Sequence, residues 1–89
     1  MATDPITAKF AENLLILRRR AGLSQEELGF LSNLHRTEIG QLEMGYRDPK
    51  ISTLVKLSGS LKVTPNDLLA DIHWQAGAAP KLGKVKIKY

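Results

Sequence analysis

Apolar residues return along most of this chain at steps of three and four, the spacing that gives a helix one buried stripe. The first such run is Ile6, Phe10, Leu14, Leu17 and Ala21. Its ends are punctuated. Asp4 stands where an N-cap accepts free amides of a first turn, Pro5 suits that turn because its missing N–H is not needed there, and Gly22 stops the helix. Arg18, Arg19 and Arg20 fall in the last turn, where the negative end of the helix dipole favours cations whatever else they do.

A second helix start follows at Ser24-Gln25-Glu26-Glu27. In this capping box Ser24 caps the Glu27 amide and the Glu27 carboxylate returns to the Ser24 amide. Leu23 and Leu28 are placed as a hydrophobic staple, and Leu28 with Leu31 is the expected inner face of a short helix. Ser32-Asn33 interrupts it; asparagine tolerates a left-handed backbone better than most residues, so a tight turn is expected there. In the third segment Ile39 and Leu42 are the inward pair, whereas Arg36, Thr37, Gly40, Gln41 and Met44 form a stripe on the opposite side. Gly45 closes this helix and Tyr46-Arg47-Asp48-Pro49-Lys50 is a loop. Ile51, Leu54, Leu57 and Leu61 give a fourth helix. Thr64-Pro65-Asn66-Asp67 repeats the capping logic with Val63 and Leu68 as a staple, and opens a short fifth helix carrying Leu68, Leu69 and Ile72. The expected fold is therefore all-α.

Beyond Trp74 the pattern changes. Ala76-Gly77-Ala78-Ala79-Pro80 is a small-residue linker, and Lys84-Val85-Lys86-Ile87-Lys88-Tyr89 alternates lysine with apolar residues, the period of a strand. This divides the chain into a helical domain, residues 1–74, and a linker with a basic strand-like tail, residues 75–89. One strand alone is not stable in water. Three roles stay open for it: pairing with its mate in a dimer, adding lysines to an anionic partner as an arm, or lying loose or packed on its own domain.

Length and charge then limit the function. At 89 residues the chain has room for one small core and not for a large enzyme fold. The net charge of +4 suggests an anionic partner until its location is counted. Residues 1–80 hold nine basic and nine acidic groups, and the excess is Lys81, Lys84, Lys86 and Lys88. Cysteine is absent, which removes disulfides and thiolate chemistry. The two histidines, His35 and His73, are far apart; with no Gly-rich phosphate loop and no obvious carboxylate pair, no catalytic site, cofactor or metal site is expected. No apolar run approaches the roughly 18 residues of a membrane span, and the beginning does not read as a secretory signal, so a cytoplasmic location without membrane contact is expected.

Two short helices joined by a tight turn, the second exposing a polar stripe, are what a helix-turn-helix reader requires: one helix braces across the DNA backbone while the other lies in the major groove. The stretch Leu23-Ser24-Gln25-Glu26-Glu27-Leu28-Gly29, then Leu34-His35-Arg36-Thr37-Glu38-Ile39-Gly40-Gln41-Leu42-Glu43-Met44-Gly45, continuing to Pro49 and Thr53-Leu54, resembles the phage repressor and Cro-like family of bacterial transcription regulators. The resemblance spans roughly residues 8–72 and includes the order of five helices. It implies a sequence-specific, double-stranded-DNA-binding regulator and assigns roles by position. His35, Arg36, Thr37 and Gln41 match residues that touch base edges or neighbouring phosphates, and Gln25 matches one that bonds a phosphate at a helix N-terminus. The chemistry of the side chains agrees, since arginine grips guanine through two acceptors and glutamine grips adenine through a donor and an acceptor. Arg47 and Lys50 fall on a loop that lies along phosphates in the family, though they read equally as solvated loop charges. Arg18 and Glu43 match a pair that bridges the first helix to the end of the recognition helix.

Departures from the family pattern are Asn33 and Lys62 where glycine is common, and His35 and Lys50 where a capping serine is common. His35 is thus either an imperfect cap or a DNA contact. Because residues 1–80 are neutral, a monomer gains little from counterion release. A homodimer reading a palindrome-like operator is expected, with Leu69, Ile72, Trp74, Val85 and Ile87 as its interface; Trp74 alternatively folds back on the core. No small-molecule effector is evident. The competing class is an antitoxin-type protein-interaction module with secondary DNA binding. Within the DNA-binding class, Asn33-Leu34-His35-Arg36-Thr37 looks similar to the turn of restriction-modification controllers, without excluding a phage repressor.

Overall fold

The computed structural model describes residues 4–77. Five helices follow one another: α1 (Pro5–Arg20), α2 (Gln25–Ser32), α3 (Arg36–Glu43), α4 (Ile51–Leu61) and α5 (Pro65–Leu68). Each begins at a cap that the local sequence supplies. The Asp4 carboxylate accepts from the Ile6 amide at 2.8 Å, and Ser24 and Thr64 each complete a capping box with Glu27 and Asp67. α4 is the exception, because Lys50 makes no side-chain cap. α1 ends with Gly22 at φ +72° and α3 with Gly45 at φ +74°, positive values at which a Cβ would be strained. Asn33, at φ 57°, makes the left-handed turn out of α2, and Lys62 does the same after α4 at φ 58°.

Phe10 and Leu14 of α1, Leu28 of α2, Ile39 and Leu42 of α3, Leu57 and Leu61 of α4 and Leu68 of α5 pack into one core. Leu17, Leu23, Leu34, Leu54, Val63 and Ile72 close around it. All five helices contribute, so none is stable without the others, and burial of each large side chain is worth about 1.5–3 kcal/mol. α2 packs on α3 and α4, α1 on α3 and α5, and α4 on α5. The turn between α2 and α3 is tight enough that a Cβ on Gly29 would stand 2.6 Å from the Leu34 carbonyl oxygen. Any side chain there would push the two helices apart.

Several apolar positions do not lie where periodicity puts them. Leu31 is 55% exposed and Ile51 82% exposed, although both belong to the expected inner stripes. α2 is only eight residues long, and a single leucine, Leu28, reaches the centre from it. Ile51 is the first residue of α4 and overhangs the core. α5 stops at Leu68, before Leu69 and Ile72; Asp71 turns left-handed at φ 60°, and Asn13 of α1 takes up the Leu68 and Ala70 carbonyls, both at 2.9 Å. Trp74 does not fold back on the core, being 82% exposed. The strand-like tail, with Val85 and Ile87, lies outside the described residues.

Candidate nucleic-acid interface

The α2–turn–α3 unit is held by backbone bonds that follow from its sequence. The Leu34 amide donates to the Gly29 carbonyl at 2.8 Å and the Asn33 amide to the Phe30 carbonyl at 3.3 Å, closing the end of α2. His35 then caps α3: its Nδ1 accepts from the Thr37 amide at 3.0 Å. A ring nitrogen that accepts carries no proton, so the proton sits on Nε2 and remains available as a donor. Capping and an outward contact are thus compatible for His35.

α3 is divided by face. Ile39 and Leu42 are fully buried, whereas His35, Arg36 and Thr37 are exposed at its N-terminal end and Gln41 is half-buried one turn further on. Gln25, the first residue of α2, is exposed beside them, its carboxamide lying against Gly40 of α3. A Cβ at Gly40 would stand 3.7 Å from Gln25 Oε1 and 3.8 Å from its Nε2.

The angle of α3 is fixed from below. Arg18 Nε donates to Glu43 Oε2 at 2.5 Å and Nη2 to Glu43 Oε1 at 3.0 Å, a two-pronged bond between α1 and the last residue of α3. Arg18 Nη1 also donates to the Leu23 carbonyl at 2.8 Å, adding the link between α1 and α2. The side chains are largely out of solvent, at 12% and 4% exposure. The hydrogen bond to Glu43, and then its negative charge, hold the Arg18 guanidinium above its ordinary pKa against the cost of burial. Glu27 is shifted the other way. Hydrogen bonds from the Ser24 amide and then its hydroxyl hold the exposed carboxyl below its ordinary value.

The loop after α3 is anchored by the Thr7 hydroxyl, which donates to Asp48. Arg47 leans toward Glu38 of α3 at 3.8 Å and stays about half exposed. Lys50 is exposed at the start of α4 and borders a second surface, an apolar groove lined by Ile6, Ile51, Leu54, Leu69 and Ile72. A third exposed patch, unremarked in the sequence, carries Phe30, Leu31 and Val55, with Phe30 85% exposed. Among the described residues no group of three or more potential metal-ligating side chains occurs, and no helix is long and apolar enough to cross a membrane.

A buried-core domain that presents one short helix behind a left-handed turn, braced by a second helix and pinned from a third, is a helix-turn-helix DNA-binding regulator. The chain belongs to the helix-turn-helix family, whose model matches residues 14–68. It is similar to the control protein C.BamHI of Bacillus amyloliquefaciens, with 37% identity over 68 residues, 75% of this chain and 84% of that protein. Among solved structures it is similar to the restriction-modification controller protein C.AhdI from Aeromonas hydrophila, at 40% identity and a TM-score of 0.68, covering 70% of this chain and 94% of that one. The P22 c2 repressor, solved in complex with a synthetic operator, matches at 26% identity and a TM-score of 0.65, covering 68% of this chain and 92% of that one.

Proposed function

We propose that this protein is a homodimeric transcription regulator of the restriction-modification controller type, reading a palindrome-like operator through the major groove. The observation that carries this reading is the division of α3: its inner face is locked by Ile39 and Leu42, while His35, Arg36 and Thr37 are exposed at its N-terminal end. His35, Arg36, Thr37 and Gln41 contact base edges, and Gln25, Arg47 and Lys50 contact phosphates. The likeness to C.BamHI and C.AhdI supports the controller assignment.

The neutral balance of residues 1–80 calls for two copies, because each alone neutralises few phosphates. Leu69, Ile72 and Trp74, together with Val85 and Ile87 of the tail, supply the mating surface, and Leu69 and Ile72 line a groove shared with Ile6, Ile51 and Leu54. The exposed apolar side chains of Ile51 and Leu69, which line that groove, favour association. Two copies of α3 then sit about one DNA turn apart, roughly 34 Å. Sedimentation together with footprinting on the bound DNA tests the reading. A dimer protecting two half-sites one turn apart is expected, and a monomer protecting a single half-site overturns it.

A further inference from the structure

Glu43 does more than hold Arg18. Its Oε1 accepts a second hydrogen bond, from Gln25 Nε2 at 3.0 Å, so one carboxylate joins the guanidinium of α1 to the carboxamide that opens α2. A carboxylate at neutral pH only accepts, so it selects which end of the Gln25 amide faces it. The NH2 end is drawn inward, and the amide rests against Gly40, with both terminal atoms close to where a Cβ would be. One Nε2 hydrogen is taken by Glu43. Among the described residues the other makes no protein hydrogen bond, and Gln25 itself is exposed.

We propose that Glu43 is a positioning residue for DNA binding: it sets the orientation of the Gln25 carboxamide so that its remaining N–H is presented to a phosphate at the start of α2. The inference rests on the DNA-binding reading given above, and on Gln25 as a phosphate contact. Without Glu43 the exposed glutamine has other rotamers and two amide orientations to choose from. The phosphate contact then has to order it first. Glu43 itself touches no DNA in this account and acts through Gln25.

A double-mutant cycle on a duplex recovered by selection from a random pool tests this. Gln25→Ala, Glu43→Gln and the double variant are titrated against that duplex at a temperature where circular dichroism shows all of them folded. Gln25→Ala is expected to weaken binding about tenfold, the size of a lost hydrogen bond to a charged group. Glu43→Gln is expected to weaken it severalfold in the wild-type background and hardly at all once Gln25 is alanine. Melting temperature serves as the contrasting readout, because loss of the Arg18 brace lowers it equally in both backgrounds. If Glu43→Gln proves unfolded, Glu43→Asp keeps the charge for Arg18 while withdrawing the carboxylate by one methylene, and the same non-additivity is expected. Equal losses of affinity in both backgrounds overturn the positioning role, as does an unchanged affinity for Gln25→Ala. Arg36→Ala on the same duplex separates the two levels: if it abolishes binding while the cycle is additive, only the positioning role fails, and if it binds as wild type, the DNA-reading face is misplaced.

Discussion

Replacing Glu43 by alanine should cost this protein far more stability than replacing Arg19, although both are charged residues in the last turn of a helix. The Glu43 side chain is 4% exposed and receives two hydrogen bonds from an Arg18 side chain that is itself 12% exposed. Removing one partner of such a pair leaves a buried charge uncompensated, which costs about 3–5 kcal/mol. Arg18 keeps its bond to the Leu23 carbonyl, so the lower end, about 3 kcal/mol, applies. For a domain of this size each kcal/mol moves the melting temperature by about 4–8 °C, giving a fall of roughly 12–24 °C. Arg19 is exposed and makes no ion pair among the described residues. Its favourable position on the helix dipole is worth at most about 1 kcal/mol. Thermal unfolding followed by circular dichroism compares Glu43→Ala with Arg19→Ala directly. Equal shifts would refute the claim that the Arg18–Glu43 bond fixes α3 to its scaffold.

Three further outcomes follow from other parts of the structure. Asn13→Ala should lower stability by about 1–3 kcal/mol in a urea titration, because the Leu68 and Ala70 carbonyls lose their donor; an unchanged midpoint would show that water replaces it freely. Glu27 contributes stability above the ordinary carboxylate pKa, and that contribution is lost as the pH falls through its depressed folded value. Glu27→Gln, which can still form the capping box, should therefore flatten the acid side of the stability-against-pH profile, and a superimposable profile would deny the shift. Deletion of residues 81–89 should convert the dimer to monomer in a sedimentation run; an intact dimer whose DNA affinity depends less steeply on salt would assign the four tail lysines to DNA instead.

What could be read from the sequence was local. Capping residues, Gly22 and Gly45 marked helix ends because the chemistry of a helix terminus is written within a few residues, and Asn33 marked the turn for the same reason. The third helix was legible because Ile39 and Leu42 oppose a polar stripe that begins at Arg36. Features set by a neighbouring element were not legible. Asn13 reads as an ordinary polar helix residue, and only the arrival of α5 makes it a clamp. Gly29 has no turn or cap to explain it until the Leu34 carbonyl is seen against its Cα. Leu31 and Ile51 fit their helical periods and still face outward, because periodicity identifies a stripe but not how far the adjoining helix extends to cover it. The link from Glu43 to Gln25 spans 18 residues and belongs to the tertiary fold alone.

Whether the exposed N-terminal end of α3 reads DNA sequence is decided by selecting bound duplexes from a random pool with wild type and with Arg36→Ala. Wild type should enrich a site with two symmetry-related halves about one turn apart, and Arg36→Ala should lose affinity for that site by about 1–3 kcal/mol and relax the preference at one position in each half. If Arg36→Ala selects the same site with undiminished affinity, α3 is not the reader.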